Sequence, residues 1–473
     1  MSRHIGIVGL GTMGTIVSRR LALQGFSVSV YNRHLEGAEE NVARDLMARY
    51  PELHEAKGFD QMAPFIESLP SPKVIYLMIH AGAPTQEVID EIAPRLSPGD
   101  VLIDGGNAHF QDTTKRYLEL KQKGIHFIGC GISGGIDGAV AGLSLMPGGS
   151  KTGYGIATSS LEALAAKSMD GSPCCAYIGE GGAGHFVKMV HNGIEYAEME
   201  LWAEVYSLLR WAVGLTPDVI ADILAQWKTT EANGYLLEIT LQILRQKNED
   251  RWVIDSILDS AGQKGTGVWA VQAATSYEIP AMMMTAALHA RYLSSQRHIR
   301  KHLDEVSASH SKKSSSVSTN DIFKAFQLSR FIIYQEGFSI IRAGARQYNW
   351  PIGLAEVCRL WTNGCIIRST LMNHFVVLWQ QWNDELILHP EVKGIISSGW
   401  PGLRRIIQVA SAETIFTPCL VAASQYIAGA SLRYPMANLV QAQRDYFGHH
   451  GFRSVDDPEG QLRHFAWKRE EGN

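Results

Sequence analysis

The chain has 473 residues, 45% of them hydrophobic and 19% charged, and a formal net charge of −4. That length exceeds one ordinary core and predicts two or three domains; the charge balance excludes a general affinity for nucleic acid or anionic membrane, so any phosphate site must be local. Six cysteines without a C-x-x-C pair exclude a disulfide framework or zinc site, and no apolar run reaches the about 18 residues a membrane helix needs. The first strand begins almost at once after Met1, which leaves no room for a signal peptide and predicts a cytoplasmic protein.

Short apolar runs at 5–8, 28–31, 74–79, 101–103, 126–128 and 176–178 alternate with helical stretches. The alternation predicts an α/β domain over residues 1–180, a Rossmann-like, mostly parallel, doubly wound sheet. Gly9-Leu10-Gly11-Thr12-Met13-Gly14 follows the first run and opens a helix that Gly25 would end. Glycines there permit a tight turn and close backbone approach, and the helix N-terminus suits a pyrophosphate. The second run ends in Asn32 and Arg33, where NAD sites place an acidic residue, so Arg33 points to the 2′-phosphate of NADP; an ordinary surface arginine is the alternative. Asp104-Gly105-Gly106-Asn107 and Ser133-Gly134-Gly135 lie at later strand ends, either as plain turns or as walls of the ligand crevice that such sheets form.

Lys188, His191, Asn192 and Glu195 follow at i, i+3, i+4 and i+7, a spacing that puts an ammonium, an imidazole, an amide and a carboxylate on one helical face. A base and an acid on one rigid element is one reading; a solvated face is the other. Glycines at 181, 182, 184 and 193 favour the first, because mid-helix glycine costs about 1 kcal/mol and is retained where a backbone or ligand must come close. Beyond Gly184 the strand signal fades, and helical periodicity at 194–213, 281–293 and 322–348 predicts a large all-α domain over 181–440. Seven serines in 307–320 predict a surface loop. Residues 441–473, with His449, His450, Arg453, Asp456, Asp457 and Arg463, cannot build a core and form a tail, disordered or laid along another surface.

With these motifs, His185-Phe-Val-Lys-Met-Val-His-Asn-Gly-Ile-Glu-Tyr196, Ala261-Gly-Gln-Lys-Gly-Thr-Gly267 and Ala442-Gln-Arg-Asp-Tyr-Phe-Gly448 in order, the chain resembles the decarboxylating 6-phosphogluconate dehydrogenases over nearly its full length. The resemblance implies metal-free oxidation of 6-phosphogluconate by NADP to ribulose 5-phosphate and carbon dioxide, the oxidative step of the pentose phosphate pathway and of gluconate utilization. Lys188 would be the base at the 3-hydroxyl and Glu195 the acid that protonates C1 of the enediol left after decarboxylation. Asn107, Ser133, Gly134, Gly135, His191 and Asn192 would hold the carboxylate and hydroxyl end, and Tyr196, Lys264, Thr266 and Arg291 the phosphate. Arg444 and His450 would reach the phosphate from a second subunit's tail, so a homodimer with exchanged tails is expected. Gly9 to Gly14, Asn32, Arg33, His34, Ile79, His80, Ala81 and Asn107 would line the nucleotide.

The chain departs from the family pattern at His34, where Thr or Ser is usual, and at His80, where a lysine usually lies near the nucleotide phosphates. The lost cation predicts discrimination for NADP weakened by about tenfold. Further departures are Ile136-Asp137, Val268 and Thr362. Two other readings are a related β-hydroxyacid dehydrogenase with another substrate, against which the long helical domain and tail count, and a nucleotide-binding paralogue without turnover.

Overall fold

The computed structural model describes residues 3–262, 265–307, 317–434 and 436–467. Lys264 and most of the serine-rich segment lie outside the described residues. Residues 1–423 form one compact unit and residues 424–473 a second.

In the first unit, β1 (His4–Val8), β2 (Ser27–Tyr31), β3 (Lys57–Phe59), β4 (Val74–Leu77), β5 (Val101–Asp104), β6 (His126–Ser133) and β7 (Ser144–Gly149) form a seven-stranded sheet in the order β3-β2-β1-β4-β5-β6-β7. All neighbours are parallel except β6 and β7. The buried runs alternate between two cores. Val74, Tyr76, Val101 and Ile103 pack on one side with Ile16, Val17 and Leu21, while Ile75, Leu77 and Leu102 pack on the other with Ile89, Ile92 and Leu120. Both faces are thus covered by helices, which is why these strands read as unbroken apolar runs.

Three strands differ from the sequence reading, the first being the short β3, which no predicted run covers. Residues 176–178 form no strand; the chain beside them makes isolated bridges, Leu145 to Cys175 and Gly148 to Gly179, along the outside of β7. The seventh strand is β7, whose Pro147 and paired glycines break the usual strand signal and suit an edge.

The helical part is built around a central helix, Ala183–Ser207, and a long helix, Thr319–Tyr348. They pack closely because Gly337 and Gly344, two turns apart, leave room for Ile194 and Phe186: a Cβ would come within 2.5 and 2.3 Å of those side chains. A buried clasp joins the same helices. Arg330 Nη2 lies 2.7 Å from Glu198 Oε1, and the Tyr334 hydroxyl donates to Glu198 Oε2 at 2.7 Å. Two buried carboxylates cap neighbouring helices, Glu336 accepting from Met283 and Met284 N–H and Glu204 from Cys419 and Leu420 N–H. Burial pushes both up to about 8, against the backbone donors that favour the charged form.

Nearer the surface, His374 lies between Glu231 and Glu391, which raise its pKa from 6.5 to about 9, the hydrogen bond to Glu231 contributing most. A raised histidine stabilises fully below 6.5 and loses that contribution as pH rises through about 9. After discounting for partial exposure, His374→Gln is expected to cost about 1 kcal/mol at pH 6 and almost nothing at pH 10. Urea titrations of both proteins at the two pH values check this; a difference independent of pH would contradict it.

The second unit holds the helix Ala437–Gly448 and the tail after it. Buried Asp445 organises the tail by accepting from Gly451 N–H, His464 Nδ1, Phe465 N–H and Trp467 Nε1. Asp445, His449 and His464 are close enough to share an ion, yet the carboxylate is already occupied by four donors, which makes it a structural clamp. The His449 ring stacks on His464 at 4.0 Å. Among the described residues no helix is long and apolar enough to cross a membrane.

Candidate active site

The glycine loop begins with Gly9, whose φ of +89° turns the chain out of β1. Gly14 lets the following helix (Thr12–Leu23) lie against the turn, since a Cβ there would come within 1.9 Å of the Gly9 carbonyl. At Gly11 a Cβ would meet nothing within 4 Å, and the helix starts without a side-chain cap, leaving its first amides for an anion. These residues fit a dinucleotide pyrophosphate. Asn32 accepts from Leu10 N–H at 3.1 Å and so ties the end of β2 to the loop. Arg33 is exposed and paired with Glu39 Oε1 at 2.9 Å, a partner that sequence reasoning missed because a loop brings it back. His34 and His80 are exposed and Ile79 and Ala81 half-buried; the His80 carbonyl accepts from Thr85.

Buried Arg116 joins two turns of the crevice. It donates to the Gly82 carbonyl at 2.9 Å and lies 3.5 Å from Asp104, whose other oxygen accepts from Gly106 N–H. The turns that carry Ala81 and Asn107 are held together through this one guanidinium.

The central helix approaches the sheet at backbone distance. Gly129 and Gly131 share one face of β6, and a Cβ on Gly131 would sit 2.3 Å from the Lys188 Cβ. A Cβ on Gly184 would sit 2.2 Å from the Met146 carbonyl, and one on Gly193 2.7 Å from the Ala270 Cβ. The glycines around the polar face are therefore steric requirements of packing.

That face is not solvated. Lys188, His191 and Asn192 are buried and Glu195 is half-buried. His191 Nδ1 lies 3.4 Å from Lys188 Nζ, 3.3 Å from Asn192 Oδ1 and 3.6 Å from Glu195 Oε2, while Nε2 lies 3.3 Å from Ser133 Oγ at the end of β6. The Trp361 ring meets the imidazole edge-on at 5.4 Å, a contact with a residue 170 positions away that no local pattern announces. Burial lowers the Lys188 pKa against the pull of Glu195, raises that of Glu195 against Lys188 and Arg291, and drives His191 well below 6.5. An amine brought towards neutrality and a carboxyl brought towards protonation are the forms a base and an acid need.

One turn further along, Arg291 stacks its guanidinium 3.7 Å over the Tyr196 ring and donates to the Gly262 carbonyl. Gly267 makes room for that ring, since a Cβ there would lie 2.6 Å from Tyr196 Cδ2. Buried Thr266 is the first residue of the helix Thr266–Ser276. A cation, a hydroxyl and a helix N-terminus thus gather about 12 Å along the helix from Lys188, the scale of a six-carbon acid with a phosphate at its far end. Gly134 and Gly135 follow Ser133, and Asn107 is exposed. Arg444 and His450 are exposed in the second unit.

Residues 4–179 match the model of the NAD binding domain of 6-phosphogluconate dehydrogenase, and residues 184–467 match that of the 6-phosphogluconate dehydrogenase C-terminal domain. The chain belongs to the 6-phosphogluconate dehydrogenase family. It is 37% identical over 480 residues to an NADP(+)-dependent, decarboxylating 6-phosphogluconate dehydrogenase of Bacillus subtilis, covering 99% of each chain. It is 38% identical over 470 residues to an NAD(+)-dependent, decarboxylating one from the same organism, covering 96% of this chain and 98% of the other. The structure of Plasmodium falciparum 6-phosphogluconate dehydrogenase, determined in apo form and with NADP+ and 6-phosphogluconate, is similar with a TM-score of 0.90 at 33% identity, covering 98% of this chain and all of that one.

Proposed function

We propose that the chain catalyses oxidative decarboxylation of 6-phosphogluconate to ribulose 5-phosphate and carbon dioxide with reduction of NADP. The observation that carries this reading is the contact of buried Lys188 and His191 with half-buried Glu195 at the end of β6, in the sheet that also carries the glycine loop, with an anion-binding cluster a substrate length away. When bound, the nicotinamide accepts the hydride from C3. Lys188, neutral, takes the 3-hydroxyl proton, and as an ammonium it hydrogen-bonds the new 3-carbonyl, which draws the electrons released when the C1 carboxylate leaves as carbon dioxide. Lys188 thereby returns its proton to the carbonyl oxygen and leaves an enediol. Glu195, protonated, delivers a proton to the carbon that lost the carboxylate while Lys188 removes one from the enediol oxygen, giving the ketone. His191 and Asn192 orient Lys188, with Ser133 holding the far side of the imidazole. Asn107, Gly134 and Gly135 complete the carboxylate and hydroxyl end. Tyr196, Thr266 and Arg291, with Lys264, hold the phosphate.

Gly9 to Gly14 would hold the pyrophosphate, Asn32, Arg33 and His34 the adenosine ribose and its 2′-phosphate, and Ile79, His80 and Ala81 the opposite wall. The residue ranges 1–180, 181–440 and 441–473 serve as nucleotide domain, substrate and dimerisation domain, and tail. The second unit exposes Leu432, Leu439, Phe447, Val455 and Phe465, which favours cover by a second copy and hence a homodimer in which Arg444 and His450 complete the partner site. The His449 ring is engaged by His464, which favours His450 as the phosphate ligand. Mixing Lys188→Ala and Arg444→Ala subunits after denaturation is expected to restore activity if each site takes its tail from the other copy, while inactive mixtures would oppose exchange.

Initial rates at 340 nm with 6-phosphogluconate test the reaction. Turnover with NADP, exceeding that with NAD by a modest factor because His80 replaces a cation, is expected. Tight nucleotide binding without reduction would favour a silent paralogue.

A further inference from the structure

Beside the nucleotide loop lies a contact that the reaction does not use. Arg33 is gripped by Glu39 in two-pronged fashion, Nη2 to Oε1 at 2.9 Å and Nε to Oε2 at 3.3 Å. Asn32 Nδ2 donates to the same Oε2 at 2.9 Å, while Asn32 Oδ1 holds the glycine loop through Leu10 N–H. The carboxylate is not a passing surface partner. Its backbone is closed on Leu35 by two hydrogen bonds, Glu39 N–H to the Leu35 carbonyl at 2.8 Å and Leu35 N–H to the Glu39 carbonyl at 3.1 Å, around a turn in which Gly37 has φ +75°. Glu39 is held below the usual carboxylate range first by Arg33 and then by Asn32, so it stays ionised. Residues 32–40 contain one arginine and three glutamates, Glu36, Glu39 and Glu40.

Resting on the reading of Arg33 as the 2′-phosphate ligand, we propose that Glu39 is a specificity-determining residue that occupies Arg33 in place of that phosphate and makes the site accept NAD as well as NADP. A carboxylate and a phosphate compete for the same two-pronged fork. A 2′-phosphate must displace Glu39 and then remain close to a free carboxylate of like charge. A plain ribose leaves the pair intact and can donate its 2′-hydroxyl to Glu39, the type of acceptor that NAD sites place after the second strand. The presence of Arg33 therefore does not enforce strict NADP use in this chain.

Titration calorimetry with NADP+ and with NAD+ on wild type, Glu39→Gln, Arg33→Ala and the double variant tests the proposal without depending on turnover. Glu39→Gln is expected to tighten NADP+ by about fivefold, the upper range for an exposed ion pair, and to leave NAD+ unchanged or weaker. In the Arg33→Ala background the gain should shrink to the part due to like-charge repulsion, because competition for the guanidinium is gone. An NADP+ to NAD+ affinity ratio that moves by less than about twofold in Glu39→Gln, while Arg33→Ala still weakens NADP+, overturns the role of Glu39 and leaves that of Arg33 standing. Unchanged NADP+ affinity in Arg33→Ala overturns both.

Discussion

Lys188→Ala is expected to lower kcat by about 10³-fold or more while nucleotide affinity stays within the range of the wild type. The size follows from the role proposed for Lys188 as general base, which His191 is too weak a base to take over because burial drives its pKa well below the usual value. Stability should move the opposite way. The folded chain holds this amine where burial lowers its pKa, so the unfolded chain binds the proton more strongly and stability rises with pH as the solution approaches the ordinary lysine value of 10.5. Lys188→Met, which keeps the stem over Gly131, should therefore raise Tm at pH 7 and lose that advantage near pH 10. A variant that is inactive and also less stable at neutral pH would mean that Lys188 is structural, held by contacts that outweigh its burial.

Gly131→Ala is expected to be nearly as damaging without touching a reactive group. The new methyl would lie 2.3 Å from the Lys188 Cβ and 3.0 Å from the Gly184 carbonyl, one a helix side-chain root and the other backbone. Neither can rotate away, so strand and helix must separate. Overpacking of this kind costs about 1–3 kcal/mol, and a shift on the order of 1 Å at the Lys188 to His191 contact costs about 10²-fold in rate. Thermal unfolding and kcat measured on the same preparation check both parts. Gly155→Ala, at an exposed helix position where a Cβ meets nothing within 4 Å, is the control and should leave kcat unchanged while thermal stability holds or rises, since it removes a mid-helix glycine. Full activity in Gly131→Ala would show that the close approach of helix and sheet is not what sets the geometry of Lys188.

The glycine loop was readable because its needs, positive φ at Gly9 and a missing side chain at Gly14, admit few residues other than glycine. The polar face was readable because the helix periodicity places Lys188, His191, Asn192 and Glu195 in line whatever the tertiary packing. What local pattern did not separate was a solvated face from a buried one; burial comes from Gly131 below and Trp361 beside the imidazole, both supplied by distant segments. Strand β7 was hidden by Pro147 and its glycines, residues that an antiparallel edge tolerates and a strand pattern does not contain. Glu39 and Arg116 were hidden for a different reason: each acts across a loop or between two turns, and charge spacing in an irregular segment carries no fixed geometry. Arg33 was legible as a cation at the right place, but its partner decides how much of that cation a ligand meets.

The most direct test of the central claim is a parallel measurement of carbon dioxide and NADPH from wild-type protein supplied with 6-phosphogluconate and NADP. The roles proposed for Lys188 and Glu195 on one helical face predict equal amounts of the two at every time point, because one site would carry oxidation, loss of the carboxylate and reprotonation in sequence. NADPH formed without carbon dioxide, or neither formed by protein that binds both ligands, would contradict it.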